Sequence, residues 1–87
     1  MNKFTYTIKD KDGIHARPAG MLVKKASDFQ SEITIEHKGN NANAKKIFSV
    51  MSLGVKYDDE ISITATGTDE NDAIEAMENF VKENLWQ

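Results

Sequence analysis

Three stretches of this 87-residue chain alternate apolar and polar side chains with a period of two, and each keeps its apolar residues on one side. Phe4, Tyr6 and Ile8 flank Thr5 and Thr7; Ile33 and Ile35 stand within Glu32–Glu36; Ile61, Ile63 and Ala65 flank Ser62 and Thr64. Such strands need a cover on one face and water on the other, which is the habit of an antiparallel sheet covered by helices on one side. The cover is legible as well. Ala19, Leu22, Val23 and Ala26 recur at helical spacing from Ala16 to about Ser27, with Lys24, Lys25 and Asp28 left to solvent. After Asp69 and Glu70, whose charges suit the positive end of a helix, Ala73, Ile74, Met77, Phe80, Val81 and Leu85 trace a wide apolar face. Trp86 near the end of that helix either packs back or frays.

The remaining elements are shorter. Gly39-Asn40-Asn41 is a turn, since glycine and asparagine tolerate positive φ, and it leads to a weak strand around Ala42 to Ala44. Ile47, Phe48, Val50, Met51 and Leu53 crowd into a two-turn helix closed by Gly54, with Val50 and Leu53 suited to the core. From position alone, Ile47, Phe48 and Met51 are expected to pack in the core as well. Lys56–Glu60 is a polar loop. The order β-α-β-β-α-β-α predicts an α+β sandwich, a four-stranded antiparallel sheet with three helices on one face, and residues 1–87 as one domain.

Composition excludes several functions. With no cysteine there is neither a disulfide framework nor a thiolate zinc site, which is compatible with a reducing cytosol. No apolar run approaches the roughly 20 residues of a membrane span, so a soluble, cytoplasmic chain is expected. A net charge of −3 argues against nucleic acid as the main partner. The charge is unevenly spread: residues 1–50 hold nine of the eleven basic side chains against five acidic ones, whereas residues 51–87 hold two against nine. Arg17, Lys24, Lys25, Lys45 and Lys46 could therefore steer an acidic partner toward the first half.

The chemistry concentrates in Gly13-Ile14-His15-Ala16-Arg17-Pro18-Ala19-Gly20. Proline has φ near the helical value and no N–H, so it suits the first turn of a helix, where that N–H would have no intrahelical partner. This places His15 at the helix mouth, where free amides and the macrodipole favour an anion, and Arg17 adds a fork matched to phosphate oxygens. A neutral imidazole, with a reference pKa of about 6.5, is a competent nucleophile and can hold a labile phosphoryl group. No nucleotide-binding glycine loop and no carboxylate pair for magnesium accompanies it, so a phosphoryl donor would be another protein.

The Gly13–Ala19 motif, together with Lys45-Lys46-Ile47-Phe48-Ser49-Val50-Met51-Ser52-Leu53-Gly54, closely resembles the histidine-containing phosphocarrier (HPr) family of the bacterial sugar phosphotransferase system. The resemblance runs over essentially the whole chain. It implies a carrier without cofactor or catalytic turnover of its own, in which His15 takes a phosphoryl group on Nδ1 from enzyme I and passes it to enzyme IIA sugar-transport components. Arg17 would stabilise the phosphate and Pro18 shape the helix start. Gly20, Met21, Lys24, Ile47, Phe48, Met51 and Gly54 would form the partner-binding surface of a monomer that does not insert in membranes. Other roles are a paralogue in a nitrogen-related or regulatory phosphotransferase chain, and a non-transferring binding module. Many Gram-positive relatives carry a regulatory serine at the start of the short helix, and here Lys46 stands there. His37, without a carboxylate or arginine at motif spacing, reads as a solvated surface histidine, and no metal site is expected from two histidines on separate elements.

Overall fold

The computed structural model describes residues 1–14 and 16–84. Strands β1 (Asn2–Thr7), β2 (Glu32–His37), β3 (Asn40–Asn43) and β4 (Glu60–Thr66) form one antiparallel sheet in the order β1-β4-β2-β3. Its register explains the alternation in the sequence. Phe4 pairs with Ile63, Ile63 with Ile35 and Ile35 with Ala42, so one apolar row crosses all four strands. The neighbouring row, on the opposite face, runs Lys3, Thr64, Thr34, Asn43 and meets water. A slip of one residue in any strand would exchange the two faces, which is how one-sided patterning fixes register.

Helices α1 (Ala16–Ala26), α2 (Ile47–Ser52) and α3 (Glu70–Asn84) cover the apolar face. Ala19, Leu22 and Ala26 of α1, Val50 of α2, and Ala73, Met77 and Val81 of α3 are fully buried, and with Ile8, Ile33, Ile35, Ile61 and Ile63 they make one core. Leu53 and Val23 are only half-buried at its margin. Leu85 and Trp86 lie outside the described residues. Among the described residues no helix is long and apolar enough to cross a membrane.

Two expectations are corrected. The hairpin turns at Lys38 and Gly39, not at Gly39-Asn40-Asn41: both residues have positive φ, 50° and 83°, as a two-residue loop matched to the strand twist requires. Glycine removes the steric cost at the second position and Lys38 accepts it at the first, so Asn40 and Asn41 already belong to β3. The ladder continues past that strand through the Ala44 amide, which donates to Ile33 O at 2.8 Å. The second correction is His37. It shares the inward parity of Ile33 and Ile35 at the end of β2 and is only 4% exposed, so it is not a solvated surface residue.

Carboxylates fasten the loops to this frame. Asp69, whose carbonyl accepts the Ala73 amide in the first turn of α3, uses its carboxylate to accept the Gln30 and Ser31 amides and the Ser31 hydroxyl. The Ser31 hydroxyl foremost, then the Gln30 amide, hold its pKa below the ordinary value. Glu70 is held down by the chain's own amino terminus, 2.6 Å away, and by the Gly67 amide. In both, the folded-state pKa lies below the unfolded one, so the stabilisation is fully present above the unfolded carboxylate range and is lost as pH falls through it. Denaturant midpoints are expected to fall between pH 7 and pH 3, and Asp69→Asn to flatten part of that dependence. An unchanged slope in the variant would remove Asp69 from the set of acid-sensitive ties.

Candidate functional site

The approach to the candidate site is fixed before the helix begins. The Gly13 amide bonds back to Asp10 O at 2.9 Å, closing the loop after β1. Gly13 has φ +66° and is packed so tightly on Val55 that a Cβ there would overlap the Val55 carbonyl oxygen and come within 2.8 Å of Lys56 Cα. No other residue type fits both the dihedral and the space. The next amide, of Ile14, donates to Val55 O at 3.1 Å, and the Ile14 side chain is plugged into the core. His15 itself lies outside the described residues. On its far side α1 starts at Ala16, with Arg17 exposed in the first turn and Pro18 and Ala19 buried behind it.

The first turn of α1 holds no acidic residue, while Lys24 and Lys25 stand in the last turn, so the charges follow the helix dipole and leave its positive end uncompensated. Gly20 faces α2. A Cβ at that position would stand 3.6 Å from Ile47 Cδ1, ordinary contact, and the small residue lets the two helices approach. Met21 and Lys24 stand on the other flank, where with Phe80 and Glu83 they border a groove between α1 and α3.

Helix α2 presents the exposed apolar surface. Phe48 is 81% exposed, Met51 38% and Met21 41%, whereas Ile47 is half-buried against the core. Lys46 precedes α2 in extended conformation and makes no side-chain cap, and at the other end Gly54 takes φ +66° while its amide bonds Met51 O. The sequence-expected surface thus falls into two parts, Gly20 with Ile47, Phe48, Met51 and Gly54 around α2, and Met21 with Lys24 toward α3. Lys45, expected among the steering charges, is instead a tie, its Nζ donating to Phe29 O at 2.7 Å. Among the described residues no three metal-ligating side chains converge.

One feature of this region escaped the sequence reading. His37 Nε2 donates to Asp59 Oδ2 at 2.8 Å, and Nδ1 lies 3.0 Å from Leu53 O, a carbonyl that can only accept. Asp59 Oδ2 also accepts the Lys56 amide at 2.9 Å, and that amide first, then the His37 ring, holds the Asp59 carboxyl below its ordinary pKa. The signal available was parity: His37 continues the inward series Ile33, Ile35.

Comparison with known proteins agrees with this geometry. The profile described as the PTS HPr component phosphorylation site matches residues 2–83. The histidine-containing phosphocarrier protein of a mycoplasma is 41% identical with a TM-score of 0.94, the match covering 98% of this chain and 97% of that one. HPr of Thermoanaerobacter tengcongensis is 39% identical with a TM-score of 0.93, covering 100% and 98%. Crh, the catabolite repression protein of Bacillus subtilis, which forms an intertwined dimer by domain swapping, is 36% identical with a TM-score of 0.77 over the full length of both chains. The chain belongs to the HPr phosphocarrier family of the phosphotransferase system.

Burial separates exposed apolar residues from core residues in a way denaturation can read. Phe48→Ala is expected to change unfolding free energy by no more than about 0.5 kcal/mol, the range of exposed positions. Leu22→Ala, at a fully buried position, is expected to cost about 2–5 kcal/mol. A loss of that size for Phe48→Ala would place the ring inside.

Proposed function

We propose that this chain is a phosphoryl carrier in which His15 accepts a phosphoryl group on Nδ1 from enzyme I and donates it to enzyme IIA sugar-transport components. The observation that carries the reading is the coincidence of the matched phosphorylation-site profile with a loop docked on Val55, an exposed Arg17 in the first turn of α1, and the bare Phe48 ring on the neighbouring helix. In the transfer, the lone pair of the neutral imidazole nitrogen attacks phosphorus as the bond to the donor breaks, and the amides at the helix start with the Arg17 guanidinium meet the charge of the phosphoryl oxygens. The magnesium and the phosphoenolpyruvate chemistry belong to enzyme I, and the carrier acts as its protein substrate in the cytoplasm. Phe48, Met51 and Ile47 supply a small apolar contact, with Gly20, Met21, Lys24 and Gly54 around it.

A second reading, a regulatory relative that does not transfer to sugar transporters, is favoured by the likeness to Crh. The presence of both His15 and Arg17 supports the transferring role. We take the working unit as a monomer, and a swapped dimer of the Crh kind would show in the mass measured by light scattering.

Incubation with enzyme I, magnesium and phosphoenolpyruvate is expected to add one acid-labile, base-stable phosphate. His15→Ala should fold and take up none, and phosphate on that variant would move the site. Arg17→Ala should slow transfer on the order of 10²-fold, as for loss of one charge-stabilising donor, without abolishing it.

Lys46 makes a separate prediction. It offers no hydroxyl, and it sets a positive charge where a phosphorylated serine would add about two negative ones beside the α2 surface. Incubation with HPr kinase and ATP should leave the protein unmodified, and Lys46→Ser should gain phosphate. Stoichiometric phosphoserine at Ser49 or Ser52 in the parent chain would contradict this.

A further inference from the structure

The segment from Leu53 to Lys56 is gripped at both ends by one pair of side chains. At its start Leu53 O accepts the His37 Nδ1 proton at 3.0 Å; at its end the Lys56 amide donates to Asp59 Oδ2 at 2.9 Å. His37 Nε2 donates to that same oxygen at 2.8 Å and closes the ring of contacts. Between the two fixed ends stands Val55, whose side chain is buried and whose carbonyl accepts the Ile14 amide at 3.1 Å and carries Gly13 against it. The contact between His37 and Asp59 is largely shielded, with the His37 side chain 5% and the Asp59 side chain 17% exposed. Lys38 is the further cation nearby, its Nζ 3.8 Å from Asp59 Oδ1.

We propose that His37 and Asp59 are positioning residues for the phosphoacceptor loop, acting through Leu53, Val55 and Ile14 on the residue that follows Ile14 in the chain. The inference rests on the phosphocarrier reading above. Its physical basis is that Asp59 is itself anchored to the end of β1, the Ile8 amide donating to Asp59 O and the Asp58 amide to Ile8 O at 2.8 Å each, with Lys9 Nζ on Asp58. Two charge-assisted bonds to one carboxylate oxygen and one ring bond to a helix-end carbonyl carry that anchorage to the segment from Leu53 to Lys56. Misplacement by about 1 Å of a group that must meet phosphorus in line is enough to cost on the order of 10²-fold in rate. His37 touches neither phosphate nor partner in this scheme, and it sets where the acceptor stands.

The test compares His37→Leu, Asp59→Ala and Asp59→Asn with Val81→Ala, a cavity variant in the buried face of α3 outside the clamp. Phosphate uptake from phosphorylated enzyme I is followed at a temperature where each variant is folded, and exchange of the Ile14 amide is followed by NMR. His37→Leu and Asp59→Ala are expected to lower kcat on the order of 10- to 10²-fold with KM for the carrier within about twofold, and to speed Ile14 exchange. Asp59→Asn keeps an acceptor oxygen for both donors and should restore most of the rate, while Val81→Ala should transfer like the parent despite its lost stability. Parental kcat in folded His37→Leu, or an equal loss in Val81→Ala, overturns the proposal. If the parent protein takes up no phosphate, the phosphocarrier reading fails and this proposal with it. Unchanged Ile14 exchange in both clamp variants would refute the clamp alone, with the phosphocarrier reading intact.

Discussion

The hydrogen bond from the Ile14 amide to the Val55 carbonyl joins the two halves of the candidate site, and neither half would have a defined place without it. On one side it ends the loop from β1 and sets the origin of α1; on the other it fixes the chain just after α2. The bond exists because Gly13 can lie flat on Val55 at a positive φ and because Ile14 drops its side chain into the core. Ile14 is a buried apolar anchor, and Pro18 and Ala19 are buried in the first turns of α1, so the chain is held in the core on both sides of the candidate site. Loops that carry chemistry on small domains commonly need such a mount, since the exposed residues themselves contribute little to their own placement.

Most of the architecture was legible because one-sided strands and helical stripes leave few alternatives. The row Phe4, Ile63, Ile35, Ala42 is the alternation of three separate segments brought into line by backbone pairing. The misreadings came from places where tertiary context outweighs local preference. At the hairpin, glycine and asparagine marked a turn, but the twist of the strands selected Lys38 for a conformation that lysine rarely adopts. His37 was misread because its partners, Leu53 and Asp59, are 16 and 22 residues away in sequence, beyond any motif window. Lys45 likewise found the Phe29 carbonyl across the fold. The start of α1 was readable for the opposite reason, since proline's demand on the first turn is local, whereas the contact of Gly13 and Ile14 with Val55 is not.

The surface divides by chemistry as well as by position. The open face of the sheet is built of threonine, serine, asparagine and a few charges, whereas Phe48 and Met51 stand exposed on α2 and Met21 on α1. Phe48 contributes almost nothing to the core and stays exposed at 81%. Exposed apolar area of that kind is what the partner contact proposed above would cover. The first turn of α1 carries no acidic side chain of its own.

The sheet order also constrains how the chain comes together on the ribosome. β1 is the first strand synthesised and β4 the last, yet they are neighbours, with Asn2 opposite Ala65 and Thr7 opposite Glu60. Phe4, Tyr6 and Ile8 therefore emerge several seconds before their pairing strand at ordinary translation rates of about 5–20 residues per second. The β2–β3 hairpin, closed by two residues, can form while the amino-terminal strand is still waiting. The pairing of β1 with β4 cannot form before Glu60–Thr66 have been made, and the ties from Met1 to Glu70 and from Asn2 to Asn71 need residues made later still.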